Sequence, residues 1–70
     1  MKNNIRVERA IARMTQQQLA EQVGVSRQTI VAIEAGKYVP STVLALKIAH
    51  IFGRSFDDVF KLEEQDWQKE

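Results

Sequence analysis

The side chains here that could do chemistry are cations, amides and hydroxyls rather than nucleophiles. None of the 70 residues is cysteine and only one, His50, is histidine. Disulfides and cysteine-based zinc sites are therefore excluded, and the lone imidazole cannot make a metal cluster. No nucleophile–base pair and no glycine-rich phosphate loop stands in the sequence, so it gives no support to an enzyme and implies no cofactor. The run Ser26-Arg27-Gln28-Thr29 places two planar side chains together. Arginine can offer two parallel donors to guanine O6 and N7, and glutamine can pair with adenine through a donor and an acceptor side by side.

The rest of the composition bounds what can carry that run. Seventy residues suffice for one domain, since a chain of this size buries only about 60% of the surface its unfolded form exposes. Apolar content of 44% with 27% charged residues is ordinary for a globular chain. The start, Met1-Lys2-Asn3-Asn4, leads into mixed charged sequence with no apolar run fit for a secretory leader. The longest pure apolar runs are Ile30 to Ile33 and Val43 to Leu46, far short of the ~20 residues of a membrane span. The expectation is a soluble, cytoplasmic chain. The net charge of +1 hides a split: eight cations face three carboxylates through Arg54, a net +5, and two cations face six carboxylates from Ser55 onward, a net −4. A basic body with an acidic tail suits a polyanionic partner on one side.

Punctuation divides the chain into five short helices, and no alternating segment suggests a strand. Ile5 to about Arg13 has no breaker, with Ile5, Arg9 and Ala12 on one stripe and Val7, Ile11 and Met14 on the next. Thr15 with Gln18 has the spacing of a capping box for a helix over Gln16 to Val23, which carries Leu19, Ala20 and Val23 on one face and stops at Gly24. Ser26 caps the next helix, in which Ile30 and Ile33 turn inward while Gln28 and Ala32 turn outward, and Gly36 closes it. Pro40 forces Val39 out of helical geometry. Ser41 then caps a helix of about twelve residues ending at Gly53, and Ser55 with Asp58 opens a fifth that holds Phe56, Val59 and Phe60. The last residues, 63–70, are polar except for Trp67 and read as a frayed acidic extension of a domain covering 1–62.

The segment from Gln16 to Glu34 resembles the helix-turn-helix of phage-repressor-like (XRE-type, Cro/C1-type) transcription factors. The residues that carry the likeness are Leu19, Ala20, Val23, Gly24, Val25, Ile30 and Ile33, with Thr15-Gln16, Ser26-Arg27-Gln28-Thr29-Ile30, Ile33-Glu34-Ala35-Gly36-Lys37 and Ala45-Leu46-Lys47-Ile48-Ala49 around them. The likeness runs from about Ile5 to Phe60. It implies an all-α, five-helix DNA-binding domain whose recognition helix, about 27–35, enters the major groove while the preceding helix crosses the backbone.

Carried over position by position, the resemblance puts Arg27, Gln28, Val31 and Ala32 toward bases, and Gln16, Thr29, Lys37 and Thr42 toward phosphates. Val31 and Ala32 suit thymine methyl groups, and Gln16 lies in the first turn of its helix, where unpaired N–H groups attract an anion. Arg27 stands nearer the flank of the exposed face and reaches bases by extending. Arg9 and Glu34 are expected to form an internal ion pair that fixes the first helix against the recognition helix. Where many members of the family carry an apolar residue, this chain has Glu8, which leaves the packing of helix one open. The function implied is a sequence-specific regulator, a repressor more often than an activator, that binds a palindromic operator as a homodimer. The charge split and the aromatic residues near the terminus point to Phe56, Phe60, Leu62 and Trp67 as the pairing surface. The alternative is a protein-interaction module, such as an antitoxin, built on the same fold. No metal, membrane or small-molecule effector is expected, and His50 has no assigned chemistry.

Overall fold

Four of the five helices start at a hydroxyl. The computed structural model of the chain describes residues 1–68, so Lys69 and Glu70 of the expected acidic extension lie outside the described residues. Helix α1 spans Ile5–Ala12 without a side-chain cap. For α2 (Gln16–Val23), Thr15 Oγ1 accepts from the Gln18 N–H at 3.0 Å, and the Gln18 side-chain oxygen accepts from the Thr15 N–H at 2.8 Å. Ser26, Ser41 and Ser55 cap α3 (Arg27–Glu34), α4 (Thr42–Ile51) and α5 (Phe56–Val59), accepting from the third N–H of each helix at 3.2, 3.2 and 3.3 Å. Each such cap contributes about 1 kcal/mol. Between α2 and α3, Gly24 takes the left-handed conformation at φ 79°, and its N–H and that of Val25 both return to the Ala20 carbonyl.

Helix α2 occupies the centre, packed on α3 along one side and on α4 along the other. Leu19, Ala20 and Val23 of α2 meet Ile30 and Ile33 of α3, and Leu44, Ala45, Ile48 and Ala49 of α4 close the core with Ile5 and Val59. Ala20 is fully buried, where a larger side chain would have to push the helices apart. Among the described residues, no helix is long and apolar enough to cross a membrane.

The five helices are as expected, and the ends of the chain add a short ribbon to them. Lys2–Asn3 (β1) and Phe60–Lys61 (β2) pair antiparallel, with Lys2 opposite Lys61 and Asn3 opposite Phe60. The Asn4 N–H adds a bond to the Val59 carbonyl at 2.8 Å. Phe60 therefore leaves α5 for extended backbone at φ −120°, ψ 138°. Its ring lies 5.2 Å from that of Phe56 and is 2% exposed. The tail does not continue as a frayed helix: Glu64–Trp67 forms a 3₁₀ turn held to the start of the chain, with the Met1 amino group 3.1 Å from Glu63 and 3.2 Å from Asp66.

The packing of helix α1, left open by the sequence, is set by Ile5 rather than by the stripe of Val7 and Ile11. Val7 and Ile11 are exposed, whereas Glu8 is buried beside Ile5. The reason is a distant partner: Arg54, in the turn after α4, donates to Glu8 Oε1 at 3.2 Å. A carboxylate tolerates burial when an opposite charge neutralises it.

Candidate nucleic-acid interface

The outer face of α3 is made by what its inner face must do. Ile30 and Ile33 are buried against α2 and α4, and helical geometry turns Arg27, Gln28 and Val31 to the outside. Arg27, Gln28, Val31 and Ala32, together with Ala35 and Lys37, line one shallow hollow of about 310 Å³. The floor is apolar and the rim carries two cations and an amide. Lys37 is brought to that rim by the close of α3: Gly36 turns at φ 75° and the Lys37 N–H returns to the Ala32 carbonyl at 3.0 Å. Among the described residues, no carboxylate lines this hollow.

The other edge of α3 is fully engaged. The Glu34 carboxylate, 2% exposed, accepts from Arg9 Nε at 2.7 Å and Arg9 Nη2 at 3.0 Å, a two-pronged pair. Arg9 Nη1 donates to the Met14 carbonyl at 3.0 Å, so one guanidinium joins α1, the start of α2 and the end of α3. Hydrogen bonding to Glu34 raises the Arg9 pKa still further above its ordinary value, against a smaller opposing effect of burial. Gln16 Nε2 also donates to Glu34, at 3.3 Å. From the far end of the fold, the Asn3 amide donates to the Ile33 carbonyl at 2.9 Å and steadies the last turn of α3.

The remaining site residues fall into separate places. Thr29 is half-buried with its hydroxyl 3.0 Å from that of Ser26, and Thr42 is exposed in the first turn of α4; neither lines the α3 hollow. Of the four residues expected at a pairing surface, Leu62 and Trp67 are exposed and Phe56 is half-buried. Phe60 is nearly all buried in the core and reaches the surface only where it helps Met1, Phe56 and Leu62 to line a groove.

Sequence reasoning missed a second and larger concavity of about 760 Å³, between the end of α1 and the starts of α2 and α3. Arg9, Arg13 and Arg27 line it with Thr15, Gln16 and Gln17. Arg27 belongs to both hollows and joins them into one basic surface. Nothing in the local pattern around Arg13 signals this, because the three arginines converge only through the packing of three helices.

A helix-turn-helix family model matches residues 5–59, which is α1 through α5. The chain belongs to the helix-turn-helix family of DNA-binding regulators. Its relatives agree in length as well as in sequence. It is similar to a helix-turn-helix-type transcriptional regulator of Methanocaldococcus jannaschii, at 52% identity over 66 residues, 94% of this chain and 100% of that one. The helix-turn-helix-type transcriptional regulator YgzD of Bacillus subtilis is 52% identical over the same shares of each chain. Among solved structures, the clp gene regulator ClgR of Corynebacterium glutamicum superposes with a TM-score of 0.73 at 31% identity, over 77% of this chain. This chain spans 57% of the ClgR chain's length. The family is a non-enzymatic one, in keeping with a site made of hydrogen-bonding groups.

Proposed function

We propose that this helix-turn-helix chain is a repressor that binds a palindromic operator as a homodimer, with α3 in the major groove. The observation that carries the reading is the hollow on α3, where Arg27, Gln28, Val31 and Ala32 share one solvent-facing surface with Lys37 at its rim. Two bidentate side chains beside apolar ones are what base edges and thymine methyl groups require. Gln16 and Lys37 serve the flanking phosphates, and Thr29 and Thr42 add hydroxyls to the same strands. One α3 contacts only a few base pairs, so two copies related by a twofold axis supply the missing affinity. The groove that Met1, Phe56, Phe60 and Leu62 help to line, together with the exposed Trp67, forms the pairing surface, with the acidic tail held away from the phosphates.

The test is selection of bound sites from a pool of random duplexes with the full chain. An inverted repeat with half-sites about one helical turn apart (34–36 Å) is the expected result. Enrichment of asymmetric sites, or of none, overturns the reading. Repression rather than activation is read from a reporter whose promoter overlaps the selected site.

A further inference from the structure

We infer that Arg13 is a DNA-phosphate contact, seated in the cleft between α1, α2 and α3; the inference rests on the DNA-binding reading above and adds a residue to it. Three arginines line the cleft, but they are not equivalent. Arg9 is neutralised by Glu34. Among the described residues, no carboxylate pairs with Arg13 or Arg27, and the lining of the cleft includes no acidic side chain. Two uncompensated guanidinium groups therefore face one open concavity, one at the end of α1 and one at the start of α3, while the Gln16 and Gln17 amides between them are bonded to Glu34 and Glu21. An arrangement of donors without acceptor charge selects an anion, and guanidinium matches phosphate oxygens two at a time.

The position of the cleft names the anion. Arg27 lines both the cleft and the α3 hollow, so a duplex laid with its base edges in the hollow carries its backbone across the cleft. Arg13 then stands on the far side of that strand from α3. It reaches this place by ending α1 in the left-handed conformation, at φ 54° and ψ 47°, the one described non-glycine residue with positive φ. A side chain is disfavoured in that conformation and glycine is not, which supplies an unusually clean variant. Arg13→Gly removes the charge while keeping the turn.

The experiment measures affinity for a duplex selected from a random pool, across a tenfold range of salt, for the wild type, Arg13→Gly, Arg13→Lys and Lys47→Gln. Lys47 carries the same charge on α4, is exposed, and lines neither basic hollow nor the groove at the pairing surface. Each phosphate contact contributes about 0.9 to the slope of log affinity against log salt. The expected result is a slope shallower by about one for Arg13→Gly, so that its deficit against the wild type shrinks about eightfold over the salt range. Arg13→Lys and Lys47→Gln keep the wild-type slope, and the thermal midpoint of Arg13→Gly is unchanged or raised. An unchanged slope for Arg13→Gly overturns the inference while leaving the α3 reading intact, and so does an equal loss in Lys47→Gln, which would report net charge alone. Failure of the wild type to select any duplex sinks the α3 reading itself, and this inference with it.

Discussion

The two edges of α3 make opposite use of polar side chains. On the edge toward α1, Glu34 is buried and every neighbour has been recruited to it: Arg9 through two hydrogen bonds, Gln16 through one, and Arg6 at 3.7 Å. On the edge toward solvent, Arg27 and Gln28 are exposed and the described residues give them no side-chain partner. Polar groups satisfied inside the fold hold a helix at one angle, and polar groups left unsatisfied outside remain available to a ligand. The same eight-residue helix does both because its two apolar anchors, Ile30 and Ile33, fix which edge is which.

The contrast breaks most visibly at Arg9. Replacing it with methionine strands the Glu34 carboxylate at 2% exposure, and removing one partner of a buried pair costs about 3–5 kcal/mol. Gln16 and Arg6 remain near Glu34, so the low end of that range is expected from the urea midpoint. The double change Arg9→Met with Glu34→Leu should recover much of the loss, because an apolar pair of similar volume needs no desolvation of charge. A double variant no more stable than Arg9→Met would show that the bond from Arg9 to the Met14 carbonyl, rather than the ion pair, holds the seam.

At the solvent edge the same size of change moves a different quantity. Gln28→Ala should weaken binding to a selected duplex by roughly 1–3 kcal/mol and relax preference at one base pair. The thermal midpoint should not shift, because Gln28 is exposed. A variant that lost stability but kept its preferred sequence would contradict the division between the two edges. Lys37→Ala, by comparison, should weaken all duplexes alike and reduce the salt slope by about one.

How far these edges could be read in advance depends on how far apart their partners lie in the chain. The caps were legible because a hydroxyl and the N–H it receives stand three residues apart, at Thr15, Ser26, Ser41 and Ser55. The inward stripe of α2 was legible for the same local reason. The burial of Glu8 on α1 was not, since Glu8 is made tolerable by Arg54, 46 residues away. The ribbon joining β1 to β2 escaped because two residues per strand leave no alternation to detect. Of the basic surface, the α3 hollow was foreshadowed by one helix, while the cleft needed three helices to meet.

The Glu8–Arg54 pair sharpens the comparison at smaller scale. Arg54 is 47% exposed and Glu8 10%, so water screens the interaction from one side. Arg54→Ala should cost about 1 kcal/mol, nearer the worth of a surface bridge than that of the Arg9 pair. Glu8→Leu should be neutral or slightly stabilising, because the site it occupies faces Ile5 and the core. Chemical denaturation of the two variants side by side checks both signs.

The smallest effect is expected where both partners are open to water. Asp66 accepts from the Glu63 N–H at 2.7 Å, and this bond, followed by the Met1 amino group, lowers its pKa below the ordinary carboxylate value. Hydrogen bonds to Glu63 first, then to Asp66, raise the pKa of that amine. A depressed carboxyl contributes order that is complete above its unfolded pKa and is lost as pH falls through the folded value. A raised amine contributes order that is complete below its unfolded pKa and is lost as pH rises through the folded one. The 3₁₀ turn should therefore be tightest around neutral pH and loosen toward both extremes, visible in the NMR shift of the exposed Trp67 indole. The Gln28 amide, with no titrating partner, should keep its position across the same range. If the Trp67 signal loosened at only one extreme, the amine or the carboxyl would be excluded as a partner in holding the tail.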